Sequence, residues 1–329
     1  MSVVRSTYWI TVGGTDVSDR FRPLLLDLSV TDNAGTHADS ASIKVDNTDG
    51  RVALPRIGDP VTIILGSSIY GTRLVFEGTV DEVSKEASRS SGRTVSISAK
   101  SVDTTKKAKE PQQRHIDDTT VEDALNQAGG YCGISVECRD GLGSLPRKYV
   151  EMRDESFVAF GERIAREIGA NFRIKGTKAT MTKRNAGTTS SVTAAWGVNL
   201  HSYNVRPKLG RPQFNETRGR YYDPKAAEWK EKTKSADVED GQATISGRFP
   251  LPDADEADQK ADADKATTER DQGEGSVEIE LNPFAEPDGV CVLAAGEADI
   301  DGGYRIEAVT HKISRGGGGT TSLTLKARL

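Results

Sequence analysis

Over its first hundred residues the chain alternates apolar and polar positions with a period of two, as half-buried strands do. Tyr8-Trp9-Ile10-Thr11-Val12 runs into Gly13-Gly14, a turn signal. Leu26-Asp27-Leu28-Ser29-Val30-Thr31 and Ala41-Ser42-Ile43-Lys44-Val45 repeat the alternation, and Asp46-Asn47-Thr48-Asp49-Gly50 breaks it. Val61-Thr62-Ile63-Ile64-Leu65 resumes it after Gly58-Asp59-Pro60, and a long strand over 74–84 is joined by a Ser/Gly-rich turn to another over 95–99. With no helix signal among them, these segments predict a small antiparallel barrel or sandwich.

After Lys106 the period changes to that of a helix. Residues 120–128 are expected to be helical, with Thr120 as cap, Asp123 three positions on and Gly129-Gly130 as the stop. A second helix is expected to start from Asp154; Phe157, Phe160, Ile164, Ala165 and Ile168 share one face, and Gly169 ends it. Asn171-Phe172-Arg173-Ile174, a turn at Lys175-Gly176 and Ala179-Thr180-Met181-Thr182 make a hairpin. Residues 106–195 thus read as a small α/β unit inserted between two β parts, 1–105 and 196–329. In the second part, strands are predicted over 201–205, 216–222, 276–281, 290–293, 304–314 and 321–327. Between them lies an acidic piece, 253–270, where Asp253 and Glu256 form a capping pair. Its stripe of Ala254, Ala257 and Ala261 suits a helix that packs closely.

The two β parts end alike. Phe76-Glu77-Gly78 opens a hairpin that closes on Thr94-Val95-Ser96-Ile97-Ser98-Ala99-Lys100, and Ile306-Glu307-Ala308 opens one that closes on Thr321-Ser322-Leu323-Thr324-Leu325-Lys326-Ala327. A duplicated barrel would give each chain two copies of one surface, so that three chains would imitate sixfold symmetry. Two unrelated amphipathic hairpins would give the same letters, and the sequence leaves both accounts open.

Composition narrows the function classes. The chain has 329 residues, 28% of them charged, and no apolar run of membrane-spanning length. Its start, Met1-Ser2-Val3-Val4-Arg5, shows no secretory signal pattern. The net charge of −5 is carried by residues 253–274, with nine acids and three bases, so no global basic footprint for nucleic acid exists. Cys132, Cys138 and Cys291 cannot all pair within one chain, which excludes a disulfide scaffold. His37, His115, His201 and His311 fall in no close-spaced metal motif, and Cys132 and Cys138 lack a second pair to complete zinc ligation. A reactive Cys132 served by His115 competes with Cys132 packing beside Tyr131. Gly316 to Gly319 reads as a hairpin tip, and Asp46–Gly50 only grazes a calcium-loop pattern. Arg206, Lys208, Arg211, Arg218 and Arg220 form the best basic patch, expected on an exposed strand face or a subunit contact. No catalytic, cofactor-binding or metal residue is assigned.

The middle segment carries a resemblance. Thr120-Val121-Glu122-Asp123-Ala124-Leu125 with Gly133 behind it, then Asp154-Glu155-Ser156-Phe157-Val158-Ala159-Phe160-Gly161-Glu162-Arg163-Ile164-Ala165 through Gly169 to Phe172, resembles the phage late control gene D family. Gly275-Ser276-Val277-Glu278-Ile279, Gly303-Tyr304-Arg305-Ile306 and Val309-Thr310-His311-Lys312-Ile313-Ser314 resemble its closing barrel. The family comprises hubs of contractile tails and is similar to the N-terminal part of type VI secretion spike proteins. The resemblance implies an α+β, mainly β fold: two tube-like antiparallel barrels, 1–105 and 196–329, with the α/β unit of 106–195 inserted between them. It implies a homotrimer in the virion baseplate, assembled in the bacterial host cytoplasm, with pseudo-sixfold symmetry joining a hexameric tail tube to a separate trimeric spike. Wedge and tape-measure proteins are further expected partners, and DNA passes transiently through the channel. It implies no cofactor and no turnover. Two other classes stay in play: a tail-tip enzyme degrading host cell wall, tested by peptidoglycan cleavage lost on changing Glu162 or Cys132, and a carbohydrate-binding adhesion module, disfavoured by aromatics at 6% of residues with Tyr221-Tyr222 as the sole cluster.

Overall fold

The computed structural model describes residues 4–34, 39–89, 92–101, 107–184, 190–206, 214–238, 241–247, 249–270, 273–316 and 318–328. The first β part folds as β1 (Ser6–Val12), β2 (Thr15–Asp16), β3 (Leu25–Asn33), β4 (Ser40–Asp46), β5 (Pro60–Ser67), β6 (Gly71–Ser88) and β7 (Gly92–Lys100). All pairings are antiparallel, in the order β3-β4-β7-β6-β5-β1-β2. Alternate residues face one apolar cluster that includes Ile10, Leu28, Ile43, Ile63, Leu65 and Ile97, each almost wholly buried. One helical turn, α1 (Ser18–Phe21), interrupts this β part where none was expected. Ser18 Oγ accepts from the Ile10 amide at 2.8 Å and thereby closes the turn onto β1.

Residues 107–184 surround a separate apolar cluster that includes Leu125, Phe157, Phe160, Phe172 and Met181. Its elements are β8 (Pro111–Thr120), α2 (Val121–Tyr131), β9 (Ser135–Cys138), β10 (Pro146–Ser156), α3 (Phe157–Glu167), β11 (Ala170–Lys175) and β12 (Lys178–Lys183). Thr120 caps α2, its side chain accepting from the Asp123 amide. The helix passes through Gly129-Gly130, the expected stop, and ends before Gly133, whose φ of 70° an L side chain would resist. Ser156, rather than Asp154, caps α3: its Oγ accepts from the Ala159 amide at 3.2 Å. Asp154 instead occupies an irregularity between β10 and β8, with φ 48°. The hairpin of β11 and β12 follows as expected, with β9 added parallel to β12.

The second β part contains β13 (Ser191–Ala195) and β14 (Leu200–Arg206), then a side layer of β15 (Phe214–Asp223), β16 (Glu228–Ser235) and β17 (Ala243–Ser246) under α4 (Ala254–Arg270). It closes with β18 (Glu274–Glu280), β19 (Val290–Ala294), β20 (Gly302–Ser314) and β21 (Gly318–Arg328). Asp253 caps α4, accepting from the Asp255 and Glu256 amides. The alanine stripe packs as the sequence implies: Ala257 and Ala261 are fully buried, and Thr217 Oγ1 donates to the Ala261 carbonyl at 2.8 Å. A Cβ at Gly219 would stand 2.1 Å from the Ala257 carbonyl oxygen, so only glycine admits this approach. Glu256 is not part of a solvated face. It pairs with Arg147 at 3.0 Å, both side chains under 10% exposed, and burial raises its carboxyl against the pull of Arg147.

Candidate assembly interface

The two β parts form one continuous sheet, in the order β14-β18-β21-β20-β3-β4-β7-β6-β5-β1. The join is antiparallel pairing of β20 with β3, from Ala308 opposite Asn33 to Ser314 opposite Asp27. Thr310 and Thr31 bring their hydroxyl oxygens to 3.1 Å across the seam, and Lys312 lies 3.6 Å from Asp27. Ile313 crosses into the apolar cluster of the first β part, as does Leu281. His311 is buried at the seam with Nδ1 2.9 Å from Thr321 Oγ1, and burial, aided by the Arg73 charge, lowers its imidazole to about 4. Beside the seam, Tyr70 and Asn199 are hydrogen-bonded at 3.3 Å, and Arg73 pairs with Glu286 and lies over the Phe284 ring.

The strands on either side of the seam repeat. β14-β18-β21-β20-β19-β13 follows the same path as β3-β4-β7-β6-β5-β1. The ladders share their register and two irregularities, while the skips between Ile63 and Ile64 on β5 and between Tyr304 and Arg305 on β20 have no counterpart. β6 skips a partner between Val80 and Glu82 against β7, as β20 does between Ile306 and Ala308 against β21. β3 skips between Leu25 and Asp27 against β4, as β14 does between Leu200 and Ser202 against β18. The loops agree too: Gly58 donates to the Val80 carbonyl, and Asp288 to that of Ile306. Ile306 therefore corresponds to Val80, not to Phe76 as the letters alone suggested. One partner differs: β1 runs antiparallel to β5, whereas β13 runs parallel to β19.

The seam brings together none of the residues singled out for chemistry except His311. Cys132 sulfur sits near the Lys107 and Ala128 carbonyls and Gln112, while His115 stands on β8 opposite Glu151, and no described contact joins the two. Burial raises the Cys132 thiol and pushes those of Cys138 and Cys291 up to about 12, far from thiolate reactivity. Asp46 folds its loop back by accepting from Thr48 rather than opening a cation cradle. Among the described residues no group of three or more His, Cys, Asp or Glu is placed to hold a metal. The basic patch divides: Arg206 lies on β14 beside Glu274, and Arg218 on β15 between Glu216 and Glu231. Tyr222 meets Trp229 edge to face, with ring centroids 5.3 Å apart. His37, Lys208, Arg211 and the boundary at 105–106 lie outside the described residues. Sequence reasoning missed the seam itself; its strands were legible, their pairing across about 280 positions was not.

No family model matches the chain. A probable baseplate hub protein of Escherichia phage 186 is 28% identical over 186 residues, 56% of this chain and 46% of that protein. One of Escherichia phage P2 is 26% identical over 192 residues, 58% of this chain and 48% of that protein. The chain thus spans about half the length of the curated relatives it matches. A tail protein from Neisseria meningitidis superposes with a TM-score of 0.72 at 12% identity, covering 98% of this chain and 96% of that one. An Escherichia coli component of the type VI secretion system superposes at 0.58 with 11% identity, covering 97% of this chain and 76% of that one. In sequence the chain resembles phage baseplate hub proteins, and in fold it resembles phage tail and type VI secretion proteins.

Proposed function

We propose that the chain is a structural hub of a contractile tail baseplate, acting as a homotrimer in the virion. The observation that carries this reading is the repeat: two β units with one strand order, two bulges in common and an edge-to-edge seam between them. Three such chains present six nearly equivalent units to a hexameric tube ring, while the differences between the units keep a threefold character for a trimeric spike. The units of this reading are the two tube-like barrels, 1–105 and 196–329, and the inserted α/β unit, 106–195. Tube and spike proteins are the principal partners, wedge and tape-measure proteins the peripheral ones, and DNA passes through the ring. The likeness to baseplate hub proteins supports the placement, and the role is geometric rather than catalytic.

Light scattering on the purified protein tests it. A mass near three times 35.4 kDa is the expected result. A stable dimer or tetramer would count against the hub itself, and turnover of peptidoglycan would replace it with the tail-tip enzyme.

A further inference from the structure

The repeat isolates a part of the chain that the β units do not need. β3 and β4 are separated by residues 34–39, whereas their equivalents β14 and β18 are separated by 207–273, which hold the side layer and α4. The first unit keeps the shared strand order without such an insertion, so the side layer is not required to complete a β unit. Its two faces differ. On one, Thr217 and Gly219 meet α4, which Arg147 with Glu256 and Lys148 with Asp253 fasten to β10. On the other, Arg218, Arg220 and Tyr222 of β15 lie opposite Thr233, Glu231 and Trp229 of β16. Trp229 is 63% exposed and Tyr222 42%. Phe249, 73% exposed, flanks β15 on its other side, where Gly247 and Leu251 donate to the Arg218 and Arg220 carbonyls. Tyr221, the neighbour that made Tyr222 a cluster in the sequence, alternates to the α4 side, and Trp229 takes its place beside Tyr222.

We infer that this face binds an uncharged glycan, with Trp229 and Tyr222 against the apolar side of a sugar ring and Arg220 and Glu231 on its hydroxyl groups. Charge selects that ligand from those an aromatic face admits. Arg218 pairs with Glu216 at 2.5 Å and with Glu231 at 3.5 Å, and Arg220 lies opposite Glu231, so each guanidinium group has a carboxylate beside it. A phosphate backbone would run into those carboxylates, and an anionic lipid surface needs an excess of cations that this face lacks. A protein partner seating an apolar core here would have to desolvate the Arg–Glu row. An uncharged sugar requires neither. Its C–H side packs on a ring, and its hydroxyl groups both donate and accept, which suits guanidinium donors and carboxylate acceptors set side by side. Successive rows stand about 7 Å apart along the strands, so aromatic and polar contacts fall on consecutive units of an extended saccharide. The site lies within one copy and does not depend on the trimeric reading.

Tryptophan emission and a glycan array test it. The chain has three tryptophans, so Trp9→Phe with Trp196→Phe leaves Trp229 as the sole reporter. Titrated with chitohexaose, cellohexaose and maltohexaose, this protein should show a saturable change in emission with at least one of them. The unaltered chain should be retained by the same sugar on an array that carries uncharged, sulfated and phosphorylated glycans. Trp229→Ala should weaken that binding about tenfold or more, and Trp229→Phe should restore most of it. Arg220→Ala with Glu231→Ala, which leaves the net charge unaltered, should weaken it with no change in circular dichroism. Trp196→Ala is the control: Trp196 also meets a tyrosine, Tyr203, edge to face and is 60% exposed, but it stands outside the side layer. No saturable change in the titration and no uncharged glycan retained on the array overturns the proposal. Retention by sulfated or phosphorylated glycans alone overturns it too, as does binding that Trp229→Ala leaves unaltered. Failure of Trp229→Ala to assemble with tail proteins, with no sugar bound by the unaltered chain, would give the face to a protein partner instead. None of these outcomes bears on the mass read by light scattering.

Discussion

His311 shows how a residue that reads as chemistry in the sequence serves the fold instead. It stands in the middle of β20, where β21 and β3 both pair, and its ring is sealed from water with Thr321 at one nitrogen. Burial and the nearby Arg73 charge hold the imidazole at about 4, below the 6.5 of an exposed histidine. Because the folded value is depressed for a base, the unfolded chain takes up the proton first as pH falls. Stability is therefore untouched above about pH 6.5, declines as pH drops towards 4, and levels off below that, for a loss of about 3 kcal/mol. Urea midpoints measured between these pH values should fall for the natural chain and stay much flatter for His311→Gln. An equally steep decline in the variant would place the acid sensitivity elsewhere. In the sequence nothing separates this histidine from a ligand, because the pairing that buries it joins β20 to β21 ten residues on and to β3 some 280 positions away.

At the level of elements, most of the pieces were legible and their ends were not. Apolar spacing located α2 and α3, but two caps compete within three residues at the start of α3, and Ser156 wins because the chain at Asp154 is still in an irregular stretch of β10. Gly129 reads as a stop yet lies inside α2, kept small because a Cβ there would come within 2.6 Å of the Ile134 carbonyl oxygen. The acidic helix was visible too, but not that Glu256 turns inward. Its pair with Arg147 fastens α4 to β10, while Lys148 with Asp253 at 3.0 Å guards the exposed rim. Among the described residues Arg147 Nε and Nη2 and Glu256 Oε1 find no hydrogen-bond partner, so the pair is incompletely compensated. Removing one partner strands a buried charge. Arg147→Ala should cost about 3–5 kcal/mol in denaturant unfolding, whereas Arg147→Met combined with Glu256→Leu should be near neutral. If the single change is harmless, the pair is wetter than its burial implies.

For the whole molecule, the difficulty in the sequence was one of register. A period of two survives any even shift, so the letters aligned Phe76 with Ile306; only the shared bulges at Val80 and Ile306 fix the true correspondence. The same bulges suggest that the units are held as a pair. The seam joins them through seven opposed residues, and Ile313 of the second unit is counted among the core side chains of the first. Two β units that share a sheet, with Leu281 and Ile313 of the second packed into the core of the first, should open together rather than one at a time. Ile313 is 8% exposed, so Ile313→Ala leaves a cavity at the seam and should cost about 2–4 kcal/mol. Hydrogen exchange resolves where that loss falls. Amides of β4 and β7 on one side, and of β18 and β21 on the other, should lose protection by the same free energy, because the variant weakens a single cooperative unit. If only the strands around one of the two cores are affected, the seam is a contact between independent units, and each then keeps its shape without the other's help.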